Sequence, residues 1–221
     1  MPRLDLILVP GLIVCLALVV SGIRPYDRPT WFLEVFPVLI AVPVLILTYR
    51  RFPLTNLLYV LICLHALVLI LGGAYTYARV PLGFWLQDLL DLHRNPYDKI
   101  GHFMQGFVPA MIAREIFLCG RYVTGARMLA FLSGCVALAI SAFYELIEWW
   151  VALVLGQGSI EFLGTQGDPW DTQSDMFMAL VGATVALLTL ARFHDRQIAV
   201  LEVSVPQANY AEGSGIETER A

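Results

Sequence analysis

The chain has 221 residues, 58% of them hydrophobic and 14% charged, with a formal net charge of −4 and a mean hydropathy of +0.71. A soluble domain carries about a quarter charged residues, so this composition excludes that class and predicts an all-α polytopic membrane protein. The acidic balance, without a basic stripe, excludes a nucleic-acid binder. Cys15, Cys63, Cys119 and Cys135 stand singly in apolar runs, without the paired spacing of a disulfide framework.

In chain order, the first apolar run extends from Leu4 to Gly22 and is interrupted by Pro10-Gly11. Arg3 ahead of it gives a signal-like start, but no Ala-x-Ala site follows, and Val14 is too large for a lipoprotein box at Cys15. A retained span is expected in preference to a cleaved leader. Further spans are predicted over Trp31–Tyr49, Leu54–Tyr77, Ile100–Cys119, Met128–Leu155 and Met176–Phe193. Each is near the roughly 20 residues that cross about 30 Å of hydrocarbon. The fifth is long enough to tilt or project.

The predicted fold is therefore six transmembrane helices plus one short interfacial helix. The latter lies over Pro81–Leu92, where Gln87, Asp88 and Asp91 share a face among Phe84, Trp85, Leu86, Leu89 and Leu90. Residues 1–196 form the transmembrane domain. The charges His194, Asp195 and Arg196 end the last span, and residues 197–221 form a tail that becomes polar and disordered towards its end.

The basic residues set the orientation. Arg3, Arg50, Arg51, Arg114, Arg121, Arg127, Arg192 and Arg196 lie near one side; Arg24, Arg28, Arg79, Arg94 and Lys99 lie near the other. The positive-inside rule then predicts both termini in the cytoplasm of a bacterial inner-membrane protein, with the 156–170 loop outside.

The stretch from Asn95 to Glu115, NPYDKIGHFMQGFVPAMIARE, carries the strongest polar signal. Asp98 and His102 are four apart and share a helical face. Lys99 is the chain's single lysine. Glu145 and Glu148, three apart, end span five; Asp168, Asp171 and Asp175 lead into span six; Glu34 lies two turns into span two. Topology brings all of them to the outer side. A carboxylate inside a span costs on the order of 3 kcal/mol on insertion scales, so such groups face a cavity and a partner. Protonation, pairing with Arg79, Arg94 and Lys99, or a bound divalent cation would each relieve the repulsion.

Plainer readings stand beside these. Pro25-Tyr26-Asp27, Pro96-Tyr97-Asp98 and Pro169-Trp170-Asp171 each precede an even-numbered span. An aromatic at the headgroup level followed by an aspartate N-cap accounts for this pattern. Asp98 with Lys99 can be an interfacial pair, and Arg114-Glu115 a local ion pair at the cytoplasmic side. His65 reads as a hydrogen-bonded core histidine, and His93 and His194 as interfacial. Glu145 and Glu148 are hardest to explain this way.

Four histidines spread over the chain cannot supply desaturase histidine boxes, and Glu145-x-x-Glu148 lacks the Glu-x-x-His spacing of bundle di-iron sites. No HExxH, GxSxG or P-loop occurs. One histidine with several carboxylates suits Mg²⁺, Mn²⁺ or Zn²⁺, with Asp98, His102, Glu145, Glu148, Asp168, Asp171 and Asp175 as candidate ligands.

The Asn95–Glu115 run, SAFYELIEWW and FLGTQGDPWDTQSDMFMALVGA together resemble the YjdF-like family of bacterial inner-membrane proteins, across Pro25 to Arg196. That resemblance implies several membrane helices and no established activity. A weaker similarity is to VanZ-like membrane proteins, through Asp98-Lys99-x-x-His102-Phe103. Glu148 and Asp175 depart from the Gln and Asn of that pattern, so its association with glycopeptide tolerance and the cell envelope is carried over only as a hint.

Three functions follow as expectations. One is an enzyme acting on a lipid or lipid-linked envelope precursor by phosphoryl or acyl chemistry. There the metal activates water, Glu145 or Glu148 is the base, and His102, oriented by Asp98, protonates the leaving group. The second is a proton- or cation-coupled transporter. The third is a non-catalytic assembly protein whose acids form a salt-bridge latch.

Overall fold

The computed structural model describes residues 5–155 and 166–204. It contains seven helices among them: α1 (Asp5–Ile23), α2 (Arg28–Thr48), α3 (Asn56–Tyr75), α4 (Pro81–Leu90), α5 (Tyr97–Cys119), α6 (Ala126–Leu155) and α7 (Asp171–Ser204). No strand occurs among the described residues. Most of the expected outer loop (156–165) and of the C-terminal tail (205–221) lies outside them.

Four helices are long and apolar enough to cross a membrane: Arg28–Thr48, Asn56–Tyr75, Ala126–Val154 and Asp171–Leu201. The other two expected spans correspond to α1, apolar over Ile7–Ile23, and to α5. α5 is the least lipid-like because it is central, packing against α3, α6 and α7. Its buried residues include His102, Arg114 and Glu115 beside Gly101, Gly106, Ala110 and Ala113. A helix shielded by three others needs polar partners more than apolar bulk. The outer helices carry the lipid-facing residues, such as Leu12, Leu47, Phe131 and Leu188, all exposed.

α1 and α2 pack on α3, completing a second layer. Val14 of α1 joins Val35, Val38, Ala66 and Ile70 in one cluster. α4 falls where the short helix was expected, with Phe84, Trp85, Leu89 and Leu90 exposed.

Several local expectations change. Asp27 does cap α2, accepting from the Thr30 amide at 2.9 Å. Asp98 does not cap α5, whose N-cap is Pro96, and Asp171 is itself the first residue of α7. Tyr97 is 1% exposed rather than at the headgroup level; its hydroxyl donates to the Val68 carbonyl at 3.1 Å. The reason is again that α5 sits inside the bundle. α7 runs past Phe193 to Ser204, because Ile198 and Leu201 still bury apolar surface.

The α5–α7 contact is made through small residues. A Cβ on Gly106 would lie 1.8 Å from the Ala179 carbonyl oxygen, and one on Gly182 would lie 2.0 Å from that of Phe103. Ala110 and Ala183 continue the seam together with Ala137 of α6. Close backbone approach of this kind holds membrane helices together by dispersion.

Gly106→Ala and Gly182→Ala should each lower the melting temperature of detergent-purified protein, with a loss of about 1–3 kcal/mol from overpacking against rigid backbone. Gly134→Ala, where a Cβ meets nothing within 4 Å, should be neutral or stabilising. Equal melting of all three variants would refute the close-packed seam.

Candidate functional site

The N-terminal end of α5 is set by Asn95. Its Oδ1 accepts from the Tyr97 amide at 3.0 Å and its Nδ2 donates to the Val80 carbonyl at 3.1 Å. Gln166 brackets the same residue, with Oε1 accepting from the Asn95 amide at 3.2 Å and Nε2 donating to its carbonyl at 3.0 Å. α4 carries Gly83 there because a Cβ would lie 1.7 Å from the Asn95 Oδ1. These contacts hold the start of α5 beside the turn that leads into α7.

The acidic cluster divides in two. In the first half each acid has a cation. Lys99 Nζ donates to Asp171 Oδ1 at 2.8 Å and to Asp175 Oδ1 at 2.6 Å, and lies 3.7 Å from Asp98 Oδ2. Arg94 reaches Asp171 Oδ1 at 2.8 Å and Asp168 Oδ2 at 3.0 Å. Lys99 is therefore not paired chiefly with its neighbour Asp98; it ties α5 to α7.

The second half centres on His102, which is 5% exposed. Its Nε2 lies 3.5 Å from Asp98 Oδ1 and 3.8 Å from Asp175 Oδ1; its Nδ1 lies 3.8 Å from Glu145 Oε1. The nearest partner of Nδ1 is Gln105 Oε1, at 3.0 Å. Two sets of ligand atoms gather within 4.8 Å of one another, namely Asp98–His102–Asp175 and His102–Glu145–Glu148. Lys99 already bonds Asp175 in the first set. The second set holds no Lys or Arg. Glu145 Oε1 and Asp98 Oδ2 are buried without a hydrogen-bond partner, and Glu145 is only 7% exposed. Ligand atoms about 2.1 Å from a tetrahedral ion are roughly 3.4 Å apart, close to the 3.8 Å between His102 Nδ1 and Glu145 Oε1.

Beside His102 is a cavity of about 160 Å³, reached by Asp98, Gln105, Glu148 and Glu34. The Tyr144 hydroxyl donates to Glu34 Oε2 at 3.1 Å across it. His65 also lines the cavity, and its Nε2 has no hydrogen-bond partner, contrary to the expected satisfied core histidine. Gln105 and Tyr144 were not among the sequence candidates. Their spacing carried the signal: Gln105 follows His102 by one turn, and Tyr144 precedes Glu148 by one turn.

At the far end, Arg114 and Glu115 form no local pair. Arg114 contacts His194 Nδ1 at 3.1 Å and pairs with Asp195. Glu115 accepts from the Thr55 amide at 2.8 Å, the Thr55 hydroxyl at 2.7 Å and His194 Nε2 at 2.6 Å. His194 is fully buried rather than interfacial. Gln197 Oε1 accepts from the Leu57 amide at 2.9 Å, so α5 and α7 together satisfy amides at the start of α3.

A family model described as "Predicted membrane protein (DUF2238)" matches residues 6–196. The chain is also 62% identical over 188 residues to the "Inner membrane protein YjdF" of Escherichia coli (strain K12), a match covering 85% of this chain and 90% of that protein. No solved structure matches. The resemblance carried by the motifs of α5, α6 and α7 is thereby shown.

The cationic half yields a stability test. Lys99→Met leaves Asp175 buried without its cation and should cost about 3 kcal/mol or more, as when one partner of a buried pair is removed. Lys99→Met combined with Asp175→Leu should recover most of that loss, since Arg94 still neutralises Asp171. If the double variant melts below the single one in detergent, the ion-pair account of this half fails.

Proposed function

Because the chain belongs to the DUF2238 family of membrane proteins, we propose that it is a six-span inner-membrane protein whose outer face carries a divalent-cation site for chemistry on a lipid or lipid-linked envelope substrate. α1 and α5, with 19 and 23 residues, supply the two spans beyond the four most apolar helices. At 1.5 Å per residue they reach about 28 and 34 Å. The name of the Escherichia coli relative supports the inner membrane. The arginine distribution supports cytoplasmic termini.

One observation carries the site. His102 sits between two carboxylate groups of different character. Asp98 faces Nε2, and Glu145 faces Nδ1 with a buried, unpartnered oxygen. A histidine that presents one nitrogen to a ligand set and the other to an orienting carboxylate is the usual arrangement at a metal centre. In this reading Nδ1, Glu145 and Glu148 bind the ion, Gln105 Oε1 completes the set, and Asp98 fixes the ring. A bound ion would polarise a phosphoryl or acyl oxygen and lower the pKa of a water. The member of the Glu145–Glu148 pair not fully engaged would accept the proton. His102 is then a ligand instead of the leaving-group acid.

The latch reading is favoured for Asp168, Asp171 and Asp175, which Arg94 and Lys99 already neutralise. It leaves Glu145 and Glu148 without a role. The two halves therefore have different jobs: one closes α5 onto α7, the other meets the ion.

A chelator should lower the melting temperature of detergent-purified protein, and Mn²⁺, Mg²⁺ or Zn²⁺ should restore it. An ion at a hundred times its Kd stabilises by about 2.7 kcal/mol. Glu148→Gln should blunt the response, and Asp98→Asn should weaken ion affinity about 10- to 100-fold. Protein that is metal-free by elemental analysis and indifferent to added ions would remove the cation site.

Orientation has its own test. With the native cysteines replaced, Asp88→Cys should react with an impermeant thiol reagent in intact cells. Tyr122→Cys should react only after permeabilisation. The reverse pattern would place the cluster in the cytoplasm.

A further inference from the structure

The cavity beside His102 is not a polar chamber throughout. Its outer part carries Glu34, Asp98, His102 and Glu148, and its deeper part is lined by Pro37, Leu69, Pro109 and Ile140, with His65 the one ionisable side chain among them. From Asp98 to Pro109 the rise along α5 is about 16 Å, roughly half the hydrocarbon thickness. From Glu148 to Ile140 the rise along α6 is about 12 Å. His65 apart, the change from charged to apolar lining follows the change from interface to bilayer centre.

The deeper part opens sideways. Ile140 lines the cavity and is 42% exposed on the flank of the molecule. Phe36 and Phe143, on the two helices bordering that flank, are exposed as well. α2 packs on α1 and α3, while α6 packs on α5 and α7, so the seam between α2 and α6 is loosely closed. Nearer the outer surface the same seam is an apolar groove formed by Phe32, Leu33, Trp150 and Val151 with their neighbours. The Tyr144–Glu34 hydrogen bond bridges it between the groove and the deep lining.

We propose that this seam is a lateral entry for one bilayer lipid of the outer leaflet, with its headgroup at His102 and Glu148 and one acyl chain between Pro37, Leu69, Pro109 and Ile140. The proposal rests on the reading of the His102 cluster as the reactive site and names its substrate class as a lipid bearing a free aliphatic chain. The orientation is the one a lipid already has in that leaflet, head outward and chain towards the midplane. Entry needs sideways diffusion alone, without lifting the chain into water.

The test uses the full chain in nanodiscs of phosphatidylglycerol carrying a diazirine in one acyl chain, with crosslinked peptides located by mass spectrometry. Annular lipid should label exposed positions such as Leu188 in any case. Labelling of α5 around Pro109, which other helices screen from bulk lipid, is the result expected of an inserted chain. Ile140→Trp, at an exposed position, should cut that α5 labelling at least fivefold while Leu188 labelling stays unchanged. Leu69→Phe narrows the same space from α3 and should act in the same direction. No α5 labelling above background, or labelling unchanged in both variants, overturns the proposal. Mn²⁺ binding, measured on the same samples, reports separately on the cation site. Its loss with α5 labelling intact would remove the ion and leave the chain subsite standing.

Discussion

The contact on which the molecule depends is the backbone approach of α5 to α7 at Gly106 and Gly182. Two parallel helices that touch through glycine and alanine have little freedom to slide. Their long polar side chains then meet at both ends: Lys99 with Asp171 and Asp175 at one, Arg114 and Glu115 with His194 and Asp195 at the other. Charged groups buried in this way are costly unless each finds its partner. The small-residue seam sets the register in which they do. Dispersion along the seam and charge pairing at its ends are thus one constraint.

The two polar ends differ in completeness. At the far end every named group of the Glu115–His194–Arg114 network is engaged, and the network also holds the start of α3 through Thr55 and Gln197. At the start of α5 the cationic half is equally complete, whereas the His102 half keeps oxygens of Asp98 and Glu145 without a hydrogen bond. A fully satisfied network rigidifies, and a buried polar group left without a hydrogen bond is costly in the same low dielectric. Placing the incomplete half directly beside the complete one lets the latch hold α5 and α7 in place, so that the residues around His102 stay close without collapsing on each other.

Helical arithmetic explains which of this was legible in the chain. Asp98 and His102, like Glu145 and Glu148, stand at face-sharing spacings, so their convergence on one end followed from topology alone. The same arithmetic speaks against a pair between Arg114 and Glu115, since adjacent residues point about 100° apart. The partners that Arg114, Glu115 and Lys99 find on other helices lie 60 to 81 residues away in the chain and depend on which helices become neighbours, whereas Asp98 stays within 3.7 Å of Lys99. Tyr97 misled for a related reason: aromatic residues mark the headgroup level on lipid-facing helices, and nothing local reveals that α5 is enclosed. α5, which falls outside the four helices apolar enough to cross a membrane, illustrates the same limit. An enclosed helix trades hydropathy for small and polar residues, so a hydropathy profile reads least well at the helix that matters most.

α5 reconciles these demands by assigning them to adjacent stripes. Asp98, His102, Gln105 and Pro109 recur at intervals of four, three and four residues and form one line along the cavity. Lys99, Phe103, Gly106, Ala110 and Arg114 form the next line, about 100° around, and meet α7. The packing stripe must stay small in the middle and long-armed at its ends. The cavity stripe is polar from Asp98 to Gln105 and apolar at Pro109. Neither requirement interferes with the other, because 3.6 residues per turn keeps them on separate faces. The physical consequence is that axial position is shared: a shift of α5 against α7 that broke the Lys99 pairs would move His102 away from Glu145 by the same distance. Stability of the bundle and closure of the His102 cluster are in this way two readings of a single helix register.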